Sequence, residues 1–173
     1  VYKHSASSLR ALTQIQDTVN NGIRNWRMMF KGRDIGGAFA KPVPGGWQMG
    51  EIRLDNAFQG LGLGKKLYGG MLQSLKPGER LLSDAQVSPT AQATWQGLMN
   101  RKGPWTITPG LPGAAPQANI RPAGQFQGLH FPTQVYDSLK SVLPAGVKPY
   151  HYQALRTPTP VPQQATQFVN RLG

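Results

Sequence analysis

A chain of 173 residues is long enough for one domain with a real core plus an appendage, and too short for two full domains. It contains no cysteine, which removes disulfide frameworks, thiolate catalysis and cysteine-ligated zinc. Its 19 Lys+Arg against 7 Asp+Glu give a formal charge of +12, a field that favours anionic partners, whether nucleic acid, a phosphorylated cofactor or an acidic protein surface, without choosing among them.

Taken in chain order, Ser7 and Ser8 can cap a helix whose Leu12, Ile15 and Val19 share a face and which stops at Asn20-Asn21-Gly22. A strand through Trp26–Phe30, a turn at Lys31–Asp34 and a strand from Ile35 to about Lys41 follow. Pro44-Gly45-Gly46 then turns the chain into a third strand, Trp47–Leu54, which completes an antiparallel meander. Beyond it, Gly60, Gly62 and Gly64 alternate ahead of Lys65 and Lys66, where Leu63, Leu67, Met71 and Leu75 form the apolar stripe of a helix. Gly69 and Gly70 fall inside that helix, each at a cost of about 1 kcal/mol relative to alanine, so a close helix–sheet approach is expected there. Arg80–Asp84 reads as a short strand, parallel to its predecessor because a helix joins the two. Ser88-Pro89 caps and starts another helix with Ala91, Trp95, Leu98 and Met99 on its buried face, and Trp105–Thr108 is one more strand. The fold class is mixed α/β: an antiparallel meander plus a parallel central strand pair, with flanking helices.

Proline divides the chain. Four of the 15 prolines lie before residue 104 and the rest from Pro104 onward. The compact domain is therefore expected to span residues 1–108, and 109–173 to form a Pro/Gly-rich extension with two short helices, at Pro132–Leu143 and Pro162–Leu172. Such an extension is expected to dock on a partner protein, since alone in water its composition favours disorder. No apolar run approaches the roughly 20 residues that span a bilayer, and no signal-peptide pattern opens the chain, so a cytoplasmic protein without membrane contact is the expectation. The charge allows nonspecific nucleic-acid binding, although no recognition element stands out.

The glycine-rich turn between strand and helix is the strongest chemical signal. Peptide N–H groups at a helix start, bare of side chains, can approach a phosphate closely. A Walker loop requires Gly-x4-Gly-Lys-Ser/Thr, but Lys65 is followed by Lys66, so the magnesium-binding hydroxyl is missing. The dinucleotide pattern Gly-x-Gly-x-x-Gly fails as well, because the third residue after Gly64 is Leu67. What fits is Gln59-x-x-Gly62-x-Gly64.

In that motif and its setting the chain resembles the GNAT superfamily of acyl-CoA-dependent N-acetyltransferases, whose signature is Gln/Arg-x-x-Gly-x-Gly/Ala between a strand and a helix. The element order over residues 9–108 is similar too, and Ser83–Met99 looks like the family's helix after its second central strand. The resemblance implies acetyl-CoA as cofactor, without a metal, and an amine as acceptor, whose identity the sequence does not give. Its pantetheine arm would pair with the backbone of Ile52, Arg53 and Leu54. Its pyrophosphate would rest on the loop Gln59, Gly60, Leu61, Gly62, Leu63, Gly64 and Lys65. Many members carry a tyrosine as general acid where this chain has Trp95, whose indole N–H is no acid at neutral pH. Catalysis is therefore open. Glu51, the only carboxylate inside the strand before the motif, is the candidate base, or else a solvated residue paired with an arginine. Ser83 ends the second central strand beside the expected acyl site, where it serves chemistry or local turn bonding. His4, His130 and His151 lack metal-ligand spacing.

Two functions follow from the resemblance. One is acetyl transfer to an amine. The other is a catalytically weak or inactive GNAT-fold subunit that docks in a large assembly such as a bacteriophage virion, since the Ser-Asp and Ser-Pro…Trp run also resembles some phage-encoded proteins.

Overall fold

The computed structural model describes residues 5–111 and 128–158. Seven strands form one mixed sheet: β1 (Gln14–Asn20), β2 (Ile23–Phe30), β3 (Arg33–Val43), β4 (Gly46–Leu54), β5 (Arg80–Leu82), β6 (Trp105–Pro109) and β7 (Tyr152–Arg156). Their spatial order is β1-β2-β3-β4-β5-β7-β6. The helices are α1 (Ala6–Leu12), α2 (Leu63–Ser74), α3 (Pro89–Met99) and α4 (Thr133–Val142). The expected mixed α/β class, an antiparallel meander with one parallel central pair, is the one observed.

Three tight turns set the register of the first four strands. At the β1–β2 turn Asn21 and Gly22 have φ of 51° and 76°, and at the β2–β3 turn Lys31 and Gly32 have 49° and 76°. Two successive residues at positive φ match the right-handed twist of the flanking strands. Within this first part of the chain, only the first element departs from expectation. The helix ends at Leu12 with Ser5, not Ser7 or Ser8, as its cap, and residues 14–20 pair as a strand with β2 over their full length. Ile15 and Val19 are four apart, a spacing that puts two residues on one side of a helix and equally of a strand. Val19 is in fact exposed, so no buried helical face existed to hold it.

The second difference concerns the extension. Residues 152–156 do not leave the domain: β7 inserts between β5 and β6, pairing antiparallel with both. It does so because Tyr152 and Ala154 are apolar on the face that meets Trp95 and Leu81 in the main core. The sheet domain thus takes in sequence on both sides of residue 108. Helix α4 lies where the first short helix was expected, and the second, at 162–172, falls outside the described residues.

One face of the sheet carries α2 and α3 over a core built from Trp26, Met28, Leu67, Met71, Leu81 and Trp95. Leu82 points the other way, into a smaller cluster with Val147 and Tyr150. At the C-terminal end of α2 the nearly buried Arg24 binds both Asp17 oxygens, at 2.9 and 2.7 Å, and the Ser74 carbonyl at 3.0 Å. Its guanidinium lies over the Trp26 and Trp47 rings, and the bond to Asp17 raises its already high pKa further. A cation placed there complements the helix dipole and locks α2 to the meander.

Candidate active site

The site is made by two strands that part. β4 and β5 pair over three positions only, Gly46–Gln48 with Arg80–Leu82, whereas β4 runs on to Leu54. The cause of the parting is local. Gln48, nearly buried, uses its amide to reach the carbonyls of Ser83 (3.2 Å) and Lys148 (2.8 Å), and its carbonyl oxygen accepts the Lys148 N–H at 2.8 Å. The Ser83 hydroxyl accepts the N–H groups of His151 and Tyr152 and donates to the Asp84 carbonyl. The Asp84 carboxylate takes the Ala85 N–H at 2.7 Å and the Lys148 ammonium at 2.9 Å. The chain after Leu82 is thereby bonded to the segment before β7 and turned off β4.

Beyond the fork lies a cleft of about 200 Å³, lined by Gly50, Glu51, Tyr68, Ser83, Asp84 and Trp95 among others. The two sequence candidates for chemistry, Glu51 and Ser83, therefore border one cavity. Their environments differ. Glu51 is exposed and lies within an irregularity in the β3–β4 register, where Ala38 faces Ile52 but Ala40 faces Met49, so Gly50 and Glu51 of β4 stand against one residue of β3. Bulges of this kind redirect a side chain. The buried hydroxyl of Ser83 is engaged in three bonds, which gives it the task of tying β5 to β7.

Tyr68 was not anticipated. It projects from α2 into the cleft wall, nearly buried, with its ring edge-on to Trp95 at 5.5 Å. Burial pushes its phenol pKa up; the neighbouring Trp95 indole pulls it down, and the Asp84 charge pushes it up. The phenol is protonated at neutral pH. Trp95 is itself stacked on Tyr152 at 5.4 Å, so a strand from beyond residue 108 fixes the orientation of the pair. In the sequence Tyr68 reads only as one more residue on the apolar side of α2, because it lies next to Leu67 of the stripe.

The glycine loop stands at the other end of the cleft wall. A short 3-10 turn at Asn56–Phe58 leads into Gln59, whose side-chain amide donates to the Leu54 carbonyl (3.0 Å) and to Asn56 Oδ1 (3.1 Å), bracing the loop against the end of β4. Gly60 and Gly62 adopt φ of 74° and 79°, and Gly62 caps the start of α2. A side chain at Gly62 would be strained and would press on Arg10, whose guanidinium donates to the Leu61 carbonyl at 3.0 Å. Gly64 has nothing near it. The loop thus places glycine backbone at a helix start, where the first amides have no partner within the helix.

Cations border the loop. A trough of about 650 Å³ along α2 is lined by Arg10, Lys65, Lys66 and Arg101 over Gly69 and Gly70. Lys66 donates its ammonium to the Arg10 and Thr13 carbonyls at the end of α1, and burial lowers its pKa, so its charge serves the fold. Arg10, Lys65 and Arg101 remain for a ligand. Of these only Lys65 was marked in the sequence; Arg10 and Arg101 are distant from the motif and only folding brings them to it. No group of His, Asp and Glu among the described residues could hold a metal, and His151 is buried against Phe131 at 4.0 Å with Nε2 at 2.8 Å from the Ala85 carbonyl. His4 lies outside the described residues.

No known family model matches the chain, and neither does any curated protein. Among solved structures it is similar to one described as an acetyltransferase from the GNAT family, from Bacteroides thetaiotaomicron, with a TM-score of 0.43 and 10% identity, over 88% of this chain and 71% of that one. An identity that low transfers no residue role, so the site is read from its own geometry.

Proposed function

We propose that the protein is an N-acyltransferase that takes its acyl group from acetyl-CoA. One observation carries the reading: beyond Gln48 the backbone of β4 has no β5 partner, and this free edge runs directly into a loop of open amides at the start of α2. An extended amide-bearing arm can pair with Ile52, Arg53 and Leu54 along that edge. Its pyrophosphate then meets the amides of Leu61 to Lys65, the positive end of the α2 dipole and the side chains of Arg10 and Lys65.

Acetyl-CoA supplies an activated thioester; the chain supplies position and proton handling. Glu51 takes the proton of the acceptor amine, directly or through water, as the new C–N bond forms. Tyr68 donates a hydrogen bond to the sulfur as the C–S bond breaks. Because burial raises the phenol pKa, Tyr68 stabilises the thiolate and leaves final protonation to solvent. Ser83 and Gln48 keep the fork open.

Calorimetric titration with acetyl-CoA at moderate salt tests this. The expected result is saturable heat in the wild type and none in Gly62→Glu, whose side chain would fill the loop and whose backbone angle a glutamate rarely adopts. Circular dichroism of the variant must match the wild type for the comparison to hold. A wild type that releases no heat at high protein concentration overturns the donor assignment and favours the docking-subunit reading.

A further inference from the structure

The sheet face opposite α2 carries a second groove, of about 250 Å³, lined by Asn25, Arg27, Asp34, Gly37, Glu51 and Arg53 among others. Its geometry follows from strand register. Arg27 on β2 faces Gly37 on β3, and Gly37 faces Arg53 on β4, so the three stand in one row on one face. Two strand spacings separate the arginines, roughly 10 Å between backbones. Between them the floor is bare by necessity: a Cβ on Gly37 would come within 2.2 Å of the Trp26 carbonyl oxygen, and one on Gly36 within 2.3 Å of that of Arg53.

Neither guanidinium is held firmly elsewhere. Arg27 reaches Asp34 at 3.9 Å, a long and exposed pair, and Asp34 also accepts the Gly36 N–H at 3.0 Å. Arg53 has no ion-pair partner among the described residues. Glu51 lines both this groove and the cleft between β4 and β5. A molecule lying over Gly37 therefore sits between the two arginines, in a groove that is also lined by the carboxylate bordering the acyl site.

We propose that this groove binds the acyl acceptor, and that the acceptor is a small amine carrying a carboxylate or phosphate group. Arg27 and Arg53 clamp the anionic end above Gly37, since the planar guanidinium fork suits both carboxylate and phosphate oxygens. Glu51 receives the ammonium end and aligns it with the cleft. The assignment of the molecule as acceptor rests on the acyl-transfer reading; the recognition of an anionic amine rests on the groove alone.

Calorimetry with 4-aminobutanoate, 3-aminopropylphosphonate and butylamine, each with and without saturating CoA, is the test. Both anionic amines are expected to bind and butylamine to bind at least tenfold more weakly; whichever anion binds tighter identifies the acceptor's anionic group. Arg27→Gln and Arg53→Gln should each weaken anionic-amine binding at least tenfold, while Arg33→Gln, which removes the same charge outside the groove, should leave it unchanged. Equal affinity for butylamine, an equal loss in the Arg33 variant, or no binding of either anionic amine overturns the proposal. Acetyl-CoA titrated into the same samples separates the two readings: heat with acetyl-CoA but none with the anionic amines removes this proposal and spares the donor assignment, and the reverse pattern does the opposite.

Discussion

Tyr68 carries the clearest single-residue consequence. Its ring lines the cleft edge-on to Trp95, and its phenol is kept protonated by burial. If the protein transfers an acyl group as proposed, Tyr68→Phe removes the donor to the leaving thiolate, and kcat is expected to fall roughly ten- to a hundredfold with KM for acetyl-CoA little changed, as steady-state kinetics would record. The pH dependence has a definite sign. A pKa raised in the folded state means that the unfolded phenol, ionising near its ordinary 10.0, loses its proton first. The stability that Tyr68 confers is then present below pH 10 and declines above it. The melting temperature of the wild type should fall relative to that of Tyr68→Phe as pH rises from 9 to 11, and a difference that stays constant would contradict the assigned environment. Sequence could not single out Tyr68, because its role depends on Trp95 twenty-seven residues later and on Tyr152 behind that. Glu51 and the loop glycines stand out as candidates in the sequence, because a lone carboxylate in a strand and alternating glycines before a helix are local features.

At the scale of the element, the second helix asks why two adjacent glycines are tolerated. A Cβ on Gly70 would come within 2.4 Å of Ile15 Cδ1, so this glycine lets β1 approach α2. Gly69 has no atom within 4 Å of the same position. Gly69→Ala is therefore expected to stabilise the protein by about 0.5–1 kcal/mol, and Gly70→Ala to gain less or to lose, since Ile15 must shift. Urea titrations of the two variants check the contrast; equal gains would mean that Ile15 yields without cost. The expected close approach in this helix holds for one of its two glycines. The first helix shows the opposite limit of sequence reading. Asn21-Gly22 reads as a helix stop after an apolar helical stripe, whereas the same dipeptide is a strong hairpin signal, and Ile15 with Val19 satisfies both periods. Only the pairing partner β2 decides between them.

For the molecule as a whole, the decisive element is the last strand described. Residue 108 looks like a boundary because proline content rises there, yet Tyr152–Arg156 fills the middle of the sheet. Without it β5 and β6 have no common neighbour, since β5 pairs with β4 and β7 and β6 pairs with β7 alone. Removing β7 together with His151 before it also uncovers Leu81 and Trp95 and takes away both N–H donors to Ser83. Losing the burial of Tyr152 and Ala154 together with those hydrogen bonds amounts to several kcal/mol, a large share of the 5–15 kcal/mol that holds an ordinary domain together. A chain ending at Pro109 is therefore expected to give a broad, non-cooperative thermal transition and poor amide dispersion by NMR. One ending at Pro158 is expected to melt cooperatively. Because β7 also orients Trp95, and through it Tyr68, a shorter chain that still folded would have to build its cleft without the stacked Tyr152. Acetyl-CoA binding by a cooperatively folded 1–109 chain would therefore contradict both the sheet order and the structural origin of the site.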